Sequence, residues 1–251
     1  MRLHNIMCMR LLDITLDLET CSLSSHAAIM QIAAVAWDRF SKDANMMFFG
    51  TAANPEETEH FVRTIDLNSQ FVEGLWDFSQ ETAEWWKKQK REAKRAVADN
   101  ITDGDAKTDR QSQVLLNNAL EELDDWIRKI LAEHDADNFC IWCQGTDFDI
   151  PILRYAAEST RCNKLLPMAL HHKYFRDCRT AIYECVAGWL SRSESYAQYS
   201  KLDLVRDPQL AYKVLPQLPA SFGGRENAHD ALYDCISSSW FTWQALRLLF
   251  V

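Results

Sequence analysis

Residues 11–19 read LLDITLDLE, and their side chains alternate: Leu12, Ile14, Leu16 and Leu18 against Asp13, Thr15, Asp17 and Glu19. A period of two is the signature of a β-strand, whose successive side chains leave opposite faces. One face is apolar at four positions running, so this strand must lie on a core. The other face is a row of carboxylates and one hydroxyl, expected to reach solvent along a half-buried strand.

The rest of the chain supplies that core. AIMQIAAVAW (28–37) predicts a second strand, and Met46–Thr51 a third, in a meander. Helices are predicted over 81–98 and 112–133; in the latter Leu116, Leu120, Leu123, Ile127 and Ile130 keep helical spacing. Phe139–Gln144 predicts another strand, ended by Gly145. Asp149 then caps a helix with Pro151 in its first turn, running to about Thr160. Further helices are predicted from Asp177 to Trp189 and from Asp230 to Leu249. Between them, 191–225 holds Pro208, Pro216, Pro219, Gly223 and Gly224 and reads as an irregular insertion with one short helix. This order predicts an α/β fold, a mixed central β-sheet flanked by helices, in one domain over residues 9–251.

Composition narrows the class. With 47% hydrophobic and 25% charged residues among 251, the chain is globular, not disordered. No apolar run approaches the roughly 18 residues of a membrane span, and the N-terminal residues lack the apolar core of a signal peptide. The eight cysteines are therefore expected as reduced thiols in a cytoplasm. Cys140 and Cys143 form a CxxC inside an apolar strand with no second ligand pair, and are read as packing.

The net charge is −9, which disfavours a general nucleic-acid coat protein. Its distribution is uneven: residues 87–95, KKQKREAKR, carry six bases against one acid, a local +5 that leaves −14 for the remainder. An acidic chain with one basic helix face can bind a polyanion if cations sit between its carboxylates and the ligand.

Three segments carry chemistry-bearing residues. Asp17 and Glu19, two apart on a strand, share a face, and adjacent carboxylates suit Mg²⁺ or Mn²⁺; a plain polar strand face gives the same pattern. In GTDFDIPIL (145–153), Asp149 stands where a strand has ended and a helix begins, a frequent ligand position in α/β sheets. Asp147 is a rival, Phe148 should point into the core, and a simple helix cap explains Asp149 equally well. In NAHDALYDC (227–235), His229 and Asp234 are five apart, about 500° of helical turn. They cannot share one helix face, so His229 belongs to the entering loop while Asp234 projects from the helix.

Together and in this order, Asp17-Leu18-Glu19-Thr20, Phe148-Asp149 and His229-Asp230-Ala231-Leu232-Tyr233-Asp234 resemble the motifs of the DEDD exonuclease superfamily, on an RNase H-like fold. The tyrosine subclass keeps its base four residues before the last aspartate. Asp230 stands there, so the histidine subclass (DEDDh) fits. ETAEWWKKQKREAK, WCQGTDFDIPILRY, KYFRDCRTAI and HDALYDC extend the likeness to the DexA-type exonucleases of tailed phages and the RNase T-like and exonuclease VIII-like enzymes.

The resemblance implies Asp17, Glu19, Asp149 and Asp234 as ligands of two divalent cations, Mg²⁺ or Mn²⁺, and His229 as general base. It implies a 3′–5′ exonuclease releasing nucleoside 5′-monophosphates from single-stranded DNA, with RNA ends or short oligonucleotides as the alternative substrate. An inactive nucleic-acid-binding module is the remote reading. Leu18, Thr20 and Phe148 are expected beside the terminal nucleotide. Trp85, Trp86 and Lys87 are read as a stacking platform and phosphate contact, with one of the two adjacent tryptophans turned into the core. His171, His172 and Lys173 form a lesser basic cluster, and Asp177 and Arg179 are read as structural support.

Overall fold

The computed structural model describes residues 10–49, 58–90, 94, 113–162, 171–192, 201–224 and 227–250. Five strands form one mixed sheet: β1 (Leu11–Thr20), β2 (Ile29–Trp37), β3 (His60–Thr64), β4 (Asn138–Cys143) and β5 (Phe175–Asp177), in the order β3-β2-β1-β4-β5. β1 runs antiparallel to β2, with Asp17 opposite Ala33 and Glu19 opposite Gln31, and β2 antiparallel to β3. β4 is parallel to β1 and to β5. The first three strands turn back on each other as a meander; the later two each arrive after a helix, as parallel strands must.

Among the described residues, seven α-helices accompany the sheet: α1 (Gln80–Lys88), α2 (Leu116–Glu133), α3 (Thr146–Ser159), α4 (Cys178–Leu190), α5 (Lys201–Arg206), α6 (Leu210–Val214) and α7 (Ala231–Arg247). The apolar row Leu12, Ile14, Leu16 and Leu18 packs with Leu120, Leu123 and Ile127 of α2 and Ile152 and Leu153 of α3. The opposite face sets Ala33, Val35 and Trp37 against Ile182 and Val186 of α4 and Ile236, Trp240 and Trp243 of α7. β1 is thus the middle strand of a three-layer stack.

That position overturns the expected solvent exposure of the polar row. Asp13 and Thr15 are buried because α7 crosses this face. Each buried group is satisfied. Asp13 pairs with the Arg39 guanidinium and accepts the Trp142 indole N–H at 2.7 Å. Thr15 Oγ1 accepts the Trp37 indole N–H at 3.0 Å and meets Ser239 Oγ of α7 at 2.7 Å. A buried pair broken by removing one partner costs about 3–5 kcal/mol, so this end of β1 is a rigid anchor.

Other expectations change in placement. The third strand is His60–Thr64; Met47 and Phe48 are apolar because they pack beneath the second core face, and Phe48 makes only a single bridge, to Trp37. Residues 50 and 51 lie outside the described residues. The first helix ends at Lys88, where Gln89 turns extended; the polar loop around Gly104 and residues 91–93 and 95–98 lie outside the described residues. The described part of 191–225 is not irregular: α5, α6 and a 3₁₀ turn at Ala220–Phe222 bury Leu204, Leu210, Ala211 and Phe222 against the second core. β5, only three residues long, was not expected. Cys140 and Cys143 face opposite cores, so the CxxC cannot act as one chelating pair.

Candidate active site

The C-terminal half of β1 delivers Asp17 and Glu19 to the sheet face crossed by α7. Asp149 arrives from α3, which begins four residues earlier than the sequence predicted, with Gly145 in the cap position. Gly145, at φ +118°, occupies the left-handed region that glycine tolerates best and turns the chain straight from β4 into the helix. Asp149 is therefore no cap; it sits buried in the first turn.

Asp234 comes from the first turn of α7, and His229 from the residue before that helix's cap. Asp230 is the cap, accepting the Leu232 N–H at 3.0 Å. His229 holds φ +71°, and its backbone N–H donates to Asp234 Oδ2 at 3.0 Å. A β-carbon in this region is costly, and the Asp234 bond helps hold it there. Gln31, on β2 opposite Glu19, fixes the same turn: its Oε1 accepts the Ala231 N–H at 2.9 Å.

The structure thus brings all five predicted residues to one place. Possible ligand atoms of Glu19, His229 and Asp234 lie within 4.8 Å of one another. Asp17 feels the carboxylates of Asp149, Glu19, Asp234 and Asp230. Burial first, then this mutual repulsion, pushes Asp17 and Glu19 well above the usual carboxylate range. Burial lifts Asp149 to about 7 against the opposing Leu18 backbone amide, and Asp234 to about 6 against the His229 amide. Burial moves His229 the other way, below 6.5, towards the neutral imidazole.

Of these groups Glu19 and His229 line a cleft of about 710 Å³, whose walls also include Leu18, Thr20, Trp85, Phe148 and Arg179. α1 builds one wall. Trp86 is only 3% exposed and donates its indole N–H to the Thr20 carbonyl at 3.1 Å. Its neighbour Trp85 is 40% exposed and stands edge-on to the His229 ring, centroids 4.7 Å apart. Phe148 is half-buried, split between the first core and the cleft.

The remaining predicted residues divide. Lys87 is exposed in the last turn of α1. Asp147 is exposed on the cleft wall. Asp177 caps α4 through the Thr180 N–H at 2.7 Å and also accepts the Thr146 N–H at 3.3 Å, clamping two helix starts together. Arg179 instead faces the cleft. His171, His172 and Lys173 form an exposed turn before β5 that lines no part of it. Arg91 and Arg95 lie outside the described residues. Gln31 is the residue sequence reasoning missed, and Arg179, read as structural support, stands on the cleft wall instead. A lone glutamine within AIMQIAAVAW was a usable signal for the first, because a buried amide needs partners.

The model of the family described as 3′–5′ exoribonuclease Rv2179c-like domain matches residues 12–244. An exodeoxyribonuclease of Enterobacteria phage T4 is 26% identical over 248 residues, covering 94% of this chain and 89% of its own. Among solved structures, the zinc-bound E. coli ExoI–ssDNA complex aligns with TM-score 0.52 and 13% identity, over 92% of this chain and 39% of that one. The ExoI/SSB-Ct complex gives TM-score 0.52 and 10% identity, over 96% and 43%. This chain spans less than half the length of those two structures, and their likeness is one of fold, the RNase H-like fold of exonucleases. With the family match running through all three motif segments, the chain belongs to the 3′–5′ exoribonuclease Rv2179c-like domain family and is an exonuclease of the DEDDh type.

Proposed function

We propose that this chain, as one domain over residues 9–251, is a divalent-metal-dependent exonuclease that removes nucleoside 5′-monophosphates one at a time from the 3′ end of single-stranded DNA. The observation that carries this reading is the convergence of Asp17, Glu19, Asp149 and Asp234 beside His229, in a cluster that reaches an open cleft through Glu19 and His229.

The donor set fits a hard divalent metal. Its atoms are carboxylate oxygens, the ligands Mg²⁺ and Mn²⁺ take. Four carboxylates that repel one another need positive charge, and among the described residues Arg179 supplies some of it, to Asp149. Asp17, Glu19, Asp149 and Asp234 would hold two ions, which when bound lower the cost of negative charge on the phosphate and favour ionisation of the attacking water.

The chain's own residues do the rest. His229, kept neutral by burial, accepts the proton of the attacking water, and its left-handed backbone turns the ring out over the carboxylates. The edge of Trp85 limits where that ring can swing. Leu18, Thr20, Phe148 and Trp85 enclose the terminal nucleotide, and Lys87 meets the backbone of the strand.

The phage relative named an exodeoxyribonuclease, matched over nearly the whole chain, supports DNA. The exoribonuclease description of the family supports the second reading, an enzyme of RNA ends or short oligonucleotides. The test is a side-by-side digestion of matched single-stranded DNA, duplex DNA and RNA, labelled at the 3′ end, with Mg²⁺ or Mn²⁺ and with chelator. Mononucleotide released first and fastest from single-stranded DNA is the expected result. Faster release from RNA selects the second reading, and label released only as internal fragments ends the exonuclease proposal.

A further inference from the structure

A second recess of about 370 Å³ adjoins the catalytic cleft, and Gln144 and Arg179 belong to the walls of both. Its far side is built by Tyr183 of α4 and by Gln209 and Tyr212 at and within α6. Resting on the exonuclease reading, we propose that this recess takes the nucleotide next to the terminal one, and that Arg179 grips the phosphate on that nucleotide's 5′ side.

Position comes first. With the last phosphodiester at the carboxylates and the terminal nucleotide on the Trp85 side of the cleft, the strand is placed to leave past Gly145, which lines the cleft beside Gln144 and Arg179, the two residues shared with the second recess. There the Arg179 guanidinium lies 3.5 Å from where a β-carbon on Gly145 would stand, so the arginine packs over the bare backbone turn. A β-carbon there would meet the guanidinium at ordinary van der Waals distance; it is the φ of +118° that favours glycine at this turn, on the wall of the cleft.

Charge comes second. Arg179 is exposed, and among the described residues it makes no ion pair, although the chain is strongly acidic. Asp177, two residues before it, is committed to the helix starts at Thr146 and Thr180. Arg179 acts on Asp149 only at longer range, so its guanidinium still offers a planar fork suited to phosphate. Two carboxylates share these walls, Glu184 in the recess and Asp147, whose Oδ1 lies 3.4 Å from the same point over Gly145, and they leave Arg179 as the group there that attracts a phosphate.

Aromatic surface comes third. Tyr183 is half-buried and Tyr212 is braced edge-on by Phe241, ring centroids 5.3 Å apart. Such rings stack on a base regardless of its identity, as a nuclease that works along a strand requires.

The experiment uses two pentathymidylates, one with all phosphodiesters and one with a neutral methylphosphonate at the linkage just 5′ of the scissile one. Initial rates of mononucleotide release are followed for the wild-type chain and for Arg179→Gln and Arg179→Lys. The neutral linkage should cost the wild type roughly 10–100-fold in kcat/KM, the range of a charge-assisted hydrogen bond, and Arg179→Gln less than about twofold. Arg179→Lys, which keeps the charge near Asp149, should recover part of the sensitivity with a melting temperature within about 1 °C of wild type. If Arg179→Gln keeps the full sensitivity, or slows both substrates equally, the recess does not bind that phosphate through Arg179. If the wild type releases nothing from the unmodified strand, the exonuclease reading falls, and this subsite with it.

Discussion

The Oε1 of Gln31 accepts the backbone N–H of Ala231 at 2.9 Å, joining strand β2 to the first turn of α7 across 200 residues of chain. Gln31 stands opposite Glu19 in the sheet, so one side chain sets the carboxylate pair of β1 against Asp234 and His229. Gln31→Leu keeps the volume and removes the acceptor, leaving a buried N–H unpaired. The expected cost is about 1–3 kcal/mol, seen as a lower melting temperature, together with a fall in kcat as the turn loses its register. A variant with wild-type kcat would show that α7 is positioned without this bond.

Asp17 separates folding from turnover. Its carboxylate is raised by burial and by four neighbouring acids, so it opposes the folded state whenever no cation is present. Asp17→Asn should abolish mononucleotide release while raising the melting temperature of the chelator-treated protein at pH 8. Thermal unfolding with and without Mn²⁺ checks both halves. Retained activity would remove Asp17 from the proposed ligand set.

His229 lies close enough to Glu19 and Asp234 to serve as a ligand, yet it is proposed as the base. His229→Ala should lower the rate by about two to four decades while calorimetric Mn²⁺ binding survives; collapse of binding would make the imidazole a ligand. Its backbone adds a second reading of the same site. At φ +71° a glycine is less strained than an alanine, so His229→Gly should unfold at or above the temperature of His229→Ala, against the usual order of those two residues.

The residues that carry the chemistry were legible because their spacings are local: two apart on a strand, one at a helix start, five apart across a helix cap. What surrounds them was not. The row Asp13, Thr15 and Asp17 reads as a solvent face until α7, more than 200 residues later, covers it, and no local period announces that. β5 is three residues long, too short for alternation to register, and His60–Thr64 is a half-buried strand whose sequence, HFVRT, has few apolar positions. Met47 and Phe48 mislead for the opposite reason: they are apolar because of the core beneath them, not because they form a ladder. Arg179 was read as support because it shares a motif with Asp177, but its neighbour took that task and left the guanidinium facing the cleft.

The raised carboxylates also fix the sign of a pH effect on the metal-free protein. Asp149 at about 7 and Asp234 at about 6 both lie above their ordinary 3.8. The folded state therefore holds protons that the unfolded chain releases. Its advantage is complete below about pH 4, shrinks as pH rises and is gone once pH passes through 6 and 7. Other groups respond to acid too, so the informative comparison is with Asp149→Asn/Asp234→Asn, which lacks both titrations. Between pH 5 and pH 8 in chelator, the wild type should lose about 5 °C or more of melting temperature relative to that variant. Mn²⁺ should restore the wild type at pH 8 and do little at pH 5, because the ion must displace the same protons. Equal pH slopes for wild type and variant would show that these two carboxylates ionise as freely in the folded chain as in the unfolded one.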